Sequence, residues 1–322
     1  QRYRTGKPAT RNVTIPDWLG QSLAQENLNS DRTRGFDLTV RHHNHFGDFL
    51  YGITGNMAFS RMMNRYVEHT DYGTQYLNWR NNSTNRYNDI WWGYDYAGQF
   101  NDLYEIWDAP IMDNLGNSQL KPGDYCYEDW NGDGVIDEND LHPIKYGAQT
   151  SPVLYYGLTL DLSWKGIDLT AVFQGGAFNN VKYDWYLSTP FIYDKNGPDF
   201  FFDRWHMEDA SADPLDPRTK WVRGYLPTTS QGSNAMSLNT STSAASLHEA
   251  SYIRLKSLEL GYTLPKKWVQ KVNASSVRVF TNAYNLLTCT GLKYLDPEHP
   301  SSGYGTTYPL ICTVNFGVNI KF

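Results

Sequence analysis

The sequence predicts an all-β fold, namely a segment of a transmembrane antiparallel β-barrel with long extracellular loops. Three observations favour it: stretches in which apolar and polar residues alternate, connections that alternate between short and long, and a final stretch that ends on an aromatic residue. No run of about 18 apolar residues occurs, which excludes a helical membrane span. The strands of a membrane β-barrel contain no such run, so this criterion does not exclude a barrel.

The composition agrees with strands and polar loops rather than with helices. The 322 residues include 24 Tyr, 14 Phe and 11 Trp, the mean hydropathy is −0.59, and charged residues make up 19%. Aromatic residues favour strands. The 28 Lys and Arg are outnumbered by 34 Asp and Glu, a net charge of −6 that argues against a nucleic-acid partner.

About seven segments show the period-two pattern of half-buried strands. They lie at 36–40, 49–60, 154–164, 167–177, 252–264, 276–288 and 313–322. Within 154–164, every even-numbered position is Leu, Tyr or Trp, and Lys165-Gly166 then predicts a tight hairpin turn. The apolar parity shifts between Leu255 and Leu258, which predicts a β-bulge.

The connections between these segments alternate in length. Short turns are expected near 45–48, 165–166 and 265–275, and long polar loops at 8–33, 64–152, 178–251 and 289–311, with residues 1–7 finishing an earlier strand. Outer-membrane barrels have short periplasmic turns and long extracellular loops. Such long loops are uncommon in compact soluble domains. The alternative is a secreted, calcium-stabilised β-sandwich that binds glycans.

In a barrel, the polar positions of the hairpin at 154–177 face the lumen and line the channel wall. These lumen-facing residues are Tyr155, Thr159, Asp161, Asp168, Thr170 and Gln174.

The last residues of the sequence are apolar at every second position, from Val314 to Phe322. This stretch resembles the closing strand of bacterial outer-membrane β-barrels, whose terminal aromatic residue is read by the barrel-assembly machinery. The resemblance implies that Phe316, Val318, Ile320 and Phe322 form such an assembly signal.

Short sequence blocks, in the same order, extend the resemblance over most of the chain. They are RGFDL at 34–38, KPGD at 121–124, DWNGDGVID at 129–137, GIDL at 166–169, FQG at 173–175, YIRLKSLELGY at 252–262 and NLLT at 285–288. Together they look like the C-terminal barrel part of a SusC/RagA-type TonB-linked outer-membrane protein of the Bacteroidetes. Each block is short, so the resemblance depends on their order and spacing.

The resemblance implies a TonB-dependent importer of an oligomeric nutrient, either glycan or peptide, in the bacterial outer membrane. In that family a SusD-like surface lipoprotein caps the extracellular mouth, and TonB acts through a plug domain inside a barrel of about 22 strands. We therefore expect this chain to hold about seven C-terminal strands, with the plug, the TonB box and the earlier strands absent from it.

Residues 129–140 match the loop of an EF-hand calcium site. Its expected ligands are Asp129, Asn131, Asp133, the carbonyl of Val135, Asp137 and Asp140, with Gly134 at the sharp turn. Position 12 is Asp140 rather than the usual Glu, and its shorter side chain predicts a weak, structural Ca²⁺. The alternative is a metal-free loop rich in Asx turns.

Cys289 and Cys312 flank the last long loop, and an oxidising cell envelope would allow a disulfide between them. The alternative is two free thiols.

Two long loops are rich in aromatic residues. Such side chains can stack on sugar rings or dock a partner, but we expect most of them to pack their loop against itself. They are Trp91, Trp92, Tyr94, Tyr96, Phe100, Tyr104 and Trp107 in one loop, and Trp185, Tyr186, Phe191, Tyr193, Phe200, Phe201, Phe202 and Trp205 in the other. The cluster of His42, His43 and His45 is expected to be surface imidazoles rather than a metal site.

No catalytic motif occurs, so the sequence does not predict an enzyme.

Overall fold

The structure is a computed structural model that describes residues 2–10, 25–113, 115–148, 151–183, 187–190, 196–228, 238–269, 274–298 and 310–322. Its strands are, in chain order, β1 (Arg2–Thr10), β2 (Gln25–Phe46), β3 (Phe49–Tyr66), β4 (Arg86–Tyr87), β5 (Ile90–Gly93), β6 (Tyr96–Gln99), β7 (Tyr125–Tyr127), β8 (His142–Tyr146), β9 (Leu154–Trp164), β10 (Ile167–Ala177), β11 (Asn180–Lys182), β12 (His206–Met207), β13 (Trp221–Val222), β14 (Leu247–Glu249), β15 (Tyr252–Thr263), β16 (Ser276–Thr290) and β17 (Thr313–Lys321). The α-helices are α1 (Gln75–Asn81), α2 (Leu103–Asp108) and α3 (Lys266–Val269), and 3₁₀ helices span Glu138–Asp140 and Asp199–Phe202.

One antiparallel sheet organises the chain. Its strands lie in the order β1-β2-β3-β9-β10-β15-β16-β17, and β4 adds a short pairing to β3. Among the described residues, β1 and β17 each pair on one side only, so the sheet is open, as a part of a barrel is. This continuous sheet confirms the barrel-segment prediction and contradicts the alternative of two stacked sheets.

The turn and loop pattern is confirmed on this sheet. Gly47-Asp48 joins β2 to β3, and Lys165-Gly166 joins β9 to β10. Lys165 and Gly166 both have positive φ (47° and 88°), as a type I′ hairpin turn requires. The other ends of the strands lead into the long connections 67–153, 178–251 and 291–312.

The predicted long loop at 8–33 is wrong in its bounds. Residues 25–33 belong to β2 and pair with β1, and β2 is 22 residues long rather than the five expected. A membrane-spanning strand needs only about 9–11 residues, so β2 extends well beyond that length. Residues 25–33 pair through their backbone without alternating apolar side chains. The sequence pattern therefore did not indicate a strand in this part of β2.

The predicted bulge is confirmed in β15. Val172 pairs with Ser257 and Phe173 with Leu255, which leaves Lys256 as the extra residue opposite β10. The bulge restores the apolar parity on either side of it.

The most completely buried apolar residues lie in the long connections rather than in the sheet. One cluster includes Ile106, Leu120 and Tyr127, each 1% exposed, and a second joins Val181, Ala250 and Leu292. The first contains residues of 100–136 and packs against Leu238 and Ala245, so two of the connections share a core. None of the helices within the described ranges is long and apolar enough to cross a membrane.

Candidate functional site

The polar face of the hairpin β9–β10 gathers the six predicted lumen residues. In the β9–β10 register Asp161 pairs with Thr170, Thr159 with Val172 and Ser163 with Asp168, so odd positions of β9 share a face with even positions of β10. Thr170 Oγ1 donates to Asp161 Oδ1 at 2.9 Å. Tyr155 pairs with Gly176 and Gln174 with Gly157, which places them on this face too. Their role as a channel wall stays a prediction.

The opposite face is apolar along the final strand. Phe316 pairs with Thr281 and Val318 with Val279, and Ile320 follows on the same side. Phe316 and Phe322 are 84% and 88% exposed, as a lipid-facing surface requires. This geometry suits the assembly signal predicted for Phe316, Val318, Ile320 and Phe322, which stays a prediction.

An arginine on β16 links three strands across the polar face. Arg278 Nη2 donates to Glu259 Oε1 at 2.6 Å and to Asp168 Oδ2, and Nε donates to Asp168 Oδ1 at 3.1 Å. A Cβ at Gly261 would displace this guanidinium, so the Arg278 side chain would have to shift. Of these residues the sequence interpretation included only Asp168. Charged residues at other inward strand positions were the signal that could have found the rest.

A second cluster ties the last long connection to β15. Arg254 Nη2 donates to Asp296 Oδ1 at 2.9 Å, and its Nη1 lies 2.9 Å from Glu298 Oε1. Lys256 Nζ lies 2.8 Å from Glu298 Oε2. The side chain of Arg254 is only 4% exposed, so these carboxylates compensate a buried charge. The sequence interpretation also missed this cluster.

The pKa of Asp296 predicts how this tie depends on pH. Burial raises that pKa, but the Glu298 amide and the Arg254 guanidinium together hold it below its ordinary 3.8. A lowered pKa means that the contact contributes its full stability above about pH 3.8 and loses it as the pH falls further.

We therefore expect the amides of 292–298 to exchange hydrogen equally slowly at pH 7 and pH 5, after correction for intrinsic rates, and faster at pH 3. Hydrogen exchange on the full-length protein measures this. The Asp296→Asn variant is the control, because it should exchange faster and lose most of the pH dependence. Protection that is unchanged at pH 3 would contradict the assigned role of Asp296.

A buried carboxylate joins two of the long connections. Asp124 is 0% exposed; its Oδ1 accepts from Asn239 Nδ2 at 2.7 Å and from Thr228 Oγ1 at 3.0 Å, and its Oδ2 accepts from Lys121 N at 2.8 Å. Burial raises the pKa of Asp124, while these donors oppose the increase. Asn239 Oδ1 in turn accepts from Tyr125 N at 2.9 Å. Asp124 thus fixes residues 228 and 239 against 121–125.

A cavity of about 660 Å³ lies beside this junction. All three long connections contribute to its wall: Tyr125 from the first, Tyr183, Phe200 and Tyr225 from the second, and Tyr294 from the third. Its volume falls within the roughly 300–1,000 Å³ typical of ligand pockets.

The aromatic loops divide into packed and exposed residues. Phe100, Phe201 and Trp205 are buried, whereas Tyr104, Trp107 and Phe202 are largely exposed. Trp185, Tyr186, Phe191 and Tyr193 lie outside the described residues.

The predicted calcium loop is organised by hydrogen bonds to its acidic side chains. Asp129 accepts from the amides of Gly132 and Gly134, each at 2.7 Å, which lowers its pKa. Asn131 Oδ1 accepts from Asp133 N, and Asp133 Oδ1 from Val135 N.

The second half of that loop is held by Asp140, which is fully buried. Asp140 Oδ1 accepts from Trp130 N at 2.9 Å and Oδ2 from Asp137 N at 2.8 Å. Across the described ranges, no three His, Cys, Asp or Glu residues are grouped to hold a metal. The side-chain oxygens of these residues thus accept hydrogen bonds from backbone amides, as in the metal-free alternative. Calcium binding stays a prediction.

If the 129–140 loop binds Ca²⁺, the ion joins its carboxylates. Removing the ion with EGTA should then make the loop more sensitive to proteolysis. Limited digestion with a protease that needs no calcium, followed by mass spectrometry, measures this. Added Ca²⁺ should restore the resistance and Mg²⁺ should not. Equal cleavage with and without EGTA would mean that hydrogen bonds alone hold the loop.

The predicted disulfide between Cys289 and Cys312 is wrong. Both thiols are free and exposed. The β16–β17 register ends at Tyr284 paired with Thr313, so Cys312 lies beside Asn285, four residues along β16 from Cys289. Four strand residues span about 13 Å, well above the roughly 7 Å limit between bridged Cα atoms.

The curated proteins that the chain resembles are TonB-dependent receptors. No family model matches the sequence. The chain is 23% identical to TonB-dependent receptor P3 of Formosa agariphila over 96% of its own length and 30% of the receptor. It is 26% identical to TonB-dependent receptor SusC of Bacteroides thetaiotaomicron over 63% of its length and 18% of that protein.

Solved structures of similar fold include the RagAB peptide transporter, with a TM-score of 0.62 at 19% identity. The RagAB peptide importer in the open-open state gives 0.64 at 20%, covering 99% of this chain and 32% of that one. The chain thus spans about a third of the length of receptor P3 and of the RagAB importer chain, and its match covers less than a fifth of SusC. Its open sheet, its loop layout and these similarities match part of the barrel of a SusC/RagA-type TonB-linked outer-membrane protein.

Proposed function

We propose that the chain forms part of an outer-membrane importer of an oligomeric nutrient, a glycan or a peptide, driven by TonB. The observation that carries this proposal is the large antiparallel sheet with one apolar and one polar face and long connections at one end. An apolar face meets lipid, while the polar face lines a passage for a hydrophilic solute. The receptors that the chain resembles support the same function.

The partner in this proposal is a SusD-like surface lipoprotein that covers the extracellular mouth. The long connections support it, since they form a packed layer at that end of the sheet and expose large aromatic side chains. Tyr104 and Trp107 of α2 are 63% and 61% exposed, above the buried Leu103 and Ile106. Aromatic residues are enriched in the cores of protein interfaces.

Growth of the bacterium that produces the protein tests the import function. Deleting the gene of the full-length transporter should abolish growth on at least one oligosaccharide or peptide mixture that the parent uses, and the gene in trans should restore it. Growth on the corresponding monosaccharides or amino acids is the control and should not change, because small solutes cross through other channels. Unimpaired growth on every oligomer that the parent uses would contradict the function.

Co-purification tests the partner. The full-length transporter, extracted in mild detergent, should carry a lipoprotein encoded beside its own gene. A transporter that purifies alone from membranes in which that lipoprotein is abundant would contradict the partnership.

A further inference from the structure

The cavity between the three long connections has a wall of aromatic rings that are held in place by neighbouring groups. Phe200 stacks on Tyr294 with ring centroids 4.3 Å apart and an interplanar angle of 28°. Tyr183 stacks on His248 at 3.9 Å and 26°. Two stacked pairs therefore line one cavity, and they come from connections that lie far apart in sequence.

Tyr294 has an unusual backbone conformation for its size. Its φ is 64°, in the left-handed region that bulky residues rarely adopt. The adjoining residue is fixed by Tyr183, whose hydroxyl donates to Lys293 O and accepts from Lys293 N at 3.1 Å. Strained residues of this kind concentrate at functional sites, where the surroundings hold them in place.

Burial of the Tyr294 ring does not explain this backbone conformation. The residue remains 54% exposed although Phe200 covers one side of its ring. Tyr225, also in the cavity wall, is 72% exposed, and its backbone is held by Asp203 Oδ1, which accepts from Tyr225 N at 3.1 Å. The chain thus presents two tyrosine rings to the cavity rather than packing them away.

We infer that this cavity is a binding site for an uncharged oligosaccharide, whose sugar rings stack on Tyr294 and Tyr225. The apolar C–H face of a pyranose fits the face of an aromatic ring, and its hydroxyls pair with carboxylate and ammonium groups. Asp203 and Lys293 supply these groups at the exposed part of the wall.

The charges of the cavity wall are compatible with an uncharged ligand. Asp203 and Lys293 cancel each other, and burial together with Lys145 lowers the pKa of His248, which keeps it neutral at pH 7. Thr228 and Asn239 already bond Asp124, so they offer little to a ligand. With one carboxylate and one ammonium group, the described wall carries no net charge, which suits a neutral sugar.

Binding to the full-length transporter in detergent tests the inference, which rests on the proposed import function. The probes are neutral oligosaccharides of four to eight residues from α-glucan, β-glucan, xylan and mannan, and a library of peptides of the same lengths. We expect at least one oligosaccharide to bind, and Tyr294→Ala to weaken it about tenfold or more. Tyr294→Phe keeps the ring and should stay within about threefold of the parent.

Tyr72→Ala is the matched control, because Tyr72 is likewise an exposed tyrosine, at 41%, but lies outside the cavity wall. It should not change oligosaccharide affinity. Since Tyr294→Ala could disturb the loop, Tyr225→Ala provides a second variant in another connection and should weaken the same probe. Binding of peptides alone, binding of no oligosaccharide, or equal affinity of the parent and both tyrosine variants would overturn the inference.

The failure of this inference differs from failure of the import function. If cells import an oligomer through the transporter and the tyrosine variants import it equally well, the cavity is not the site although the function stands. If the gene deletion leaves all oligomer uptake intact, the proposed function itself fails.

Discussion

The substitution Leu160→Arg is expected to lower the free energy of unfolding of the barrel by about 2–4 kcal/mol. Leu160 lies at the middle of β9 on the apolar face, where it pairs with Ala171 and Ile53. A guanidinium placed there would lose its hydration against lipid, and neither strand residue paired with Leu160 is a carboxylate that could compensate it. Urea unfolding of the full-length protein in lipid vesicles measures the loss.

Thr159→Arg is the matched control for this variant. Thr159 is the neighbouring residue on the polar face, where it pairs with Val172 and Thr54. We expect the control to change the free energy of unfolding by less than about 0.5 kcal/mol, as surface substitutions generally do. Equal losses from the two substitutions would contradict the assignment of the faces.

Removal of the Asp124 carboxylate is expected to destabilise the packed layer of long connections by about 3 kcal/mol or more. Asp124→Ala leaves three donors without this acceptor, namely the buried Asn239 and Thr228 side chains and the partly buried Lys121 amide. Each unsatisfied buried group costs about 1–3 kcal/mol. Because Asp124 joins two connections, both should open together, and proteolysis within 115–148 and 238–251 should rise in parallel.

Asp108→Ala is the control for the Asp124 variant, since Asp108 ends α2 as an exposed carboxylate of the same connection. It should leave the protease pattern unchanged. If Asp124→Ala leaves the cleavage rates of both segments at the parent level, the carboxylate does not hold the two connections together.

Much of the sheet was predictable because its signal is local. Alternation along 154–177 fixes which residues share a face, and the tight turn at Lys165-Gly166 fixes the register, so the polar face followed directly. The β15 bulge was visible as a parity shift between Leu255 and Leu258 for the same reason. The extra length of β2 was invisible, because a paired strand without an apolar face has the sequence of a loop.

The candidate site was much less predictable because its contacts join distant parts of the chain. Asp124 meets Asn239 across 115 residues and Arg254 meets Asp296 across 42, and no periodicity links such pairs. The failed disulfide has the same origin. Cys289 and Cys312 look level when loop length alone is considered, but the β16–β17 register displaces them.

The most direct test of the central claim is the water accessibility of successive residues of β9. Single cysteines at 158–163 would be introduced into the full-length protein in lipid vesicles, after replacement of Cys126, Cys289 and Cys312 by alanine. A charged maleimide should label positions 159, 161 and 163, and a lipid-soluble maleimide should label 158, 160 and 162. Uniform labelling of all six positions by the charged reagent would contradict a membrane barrel with a polar lumen face.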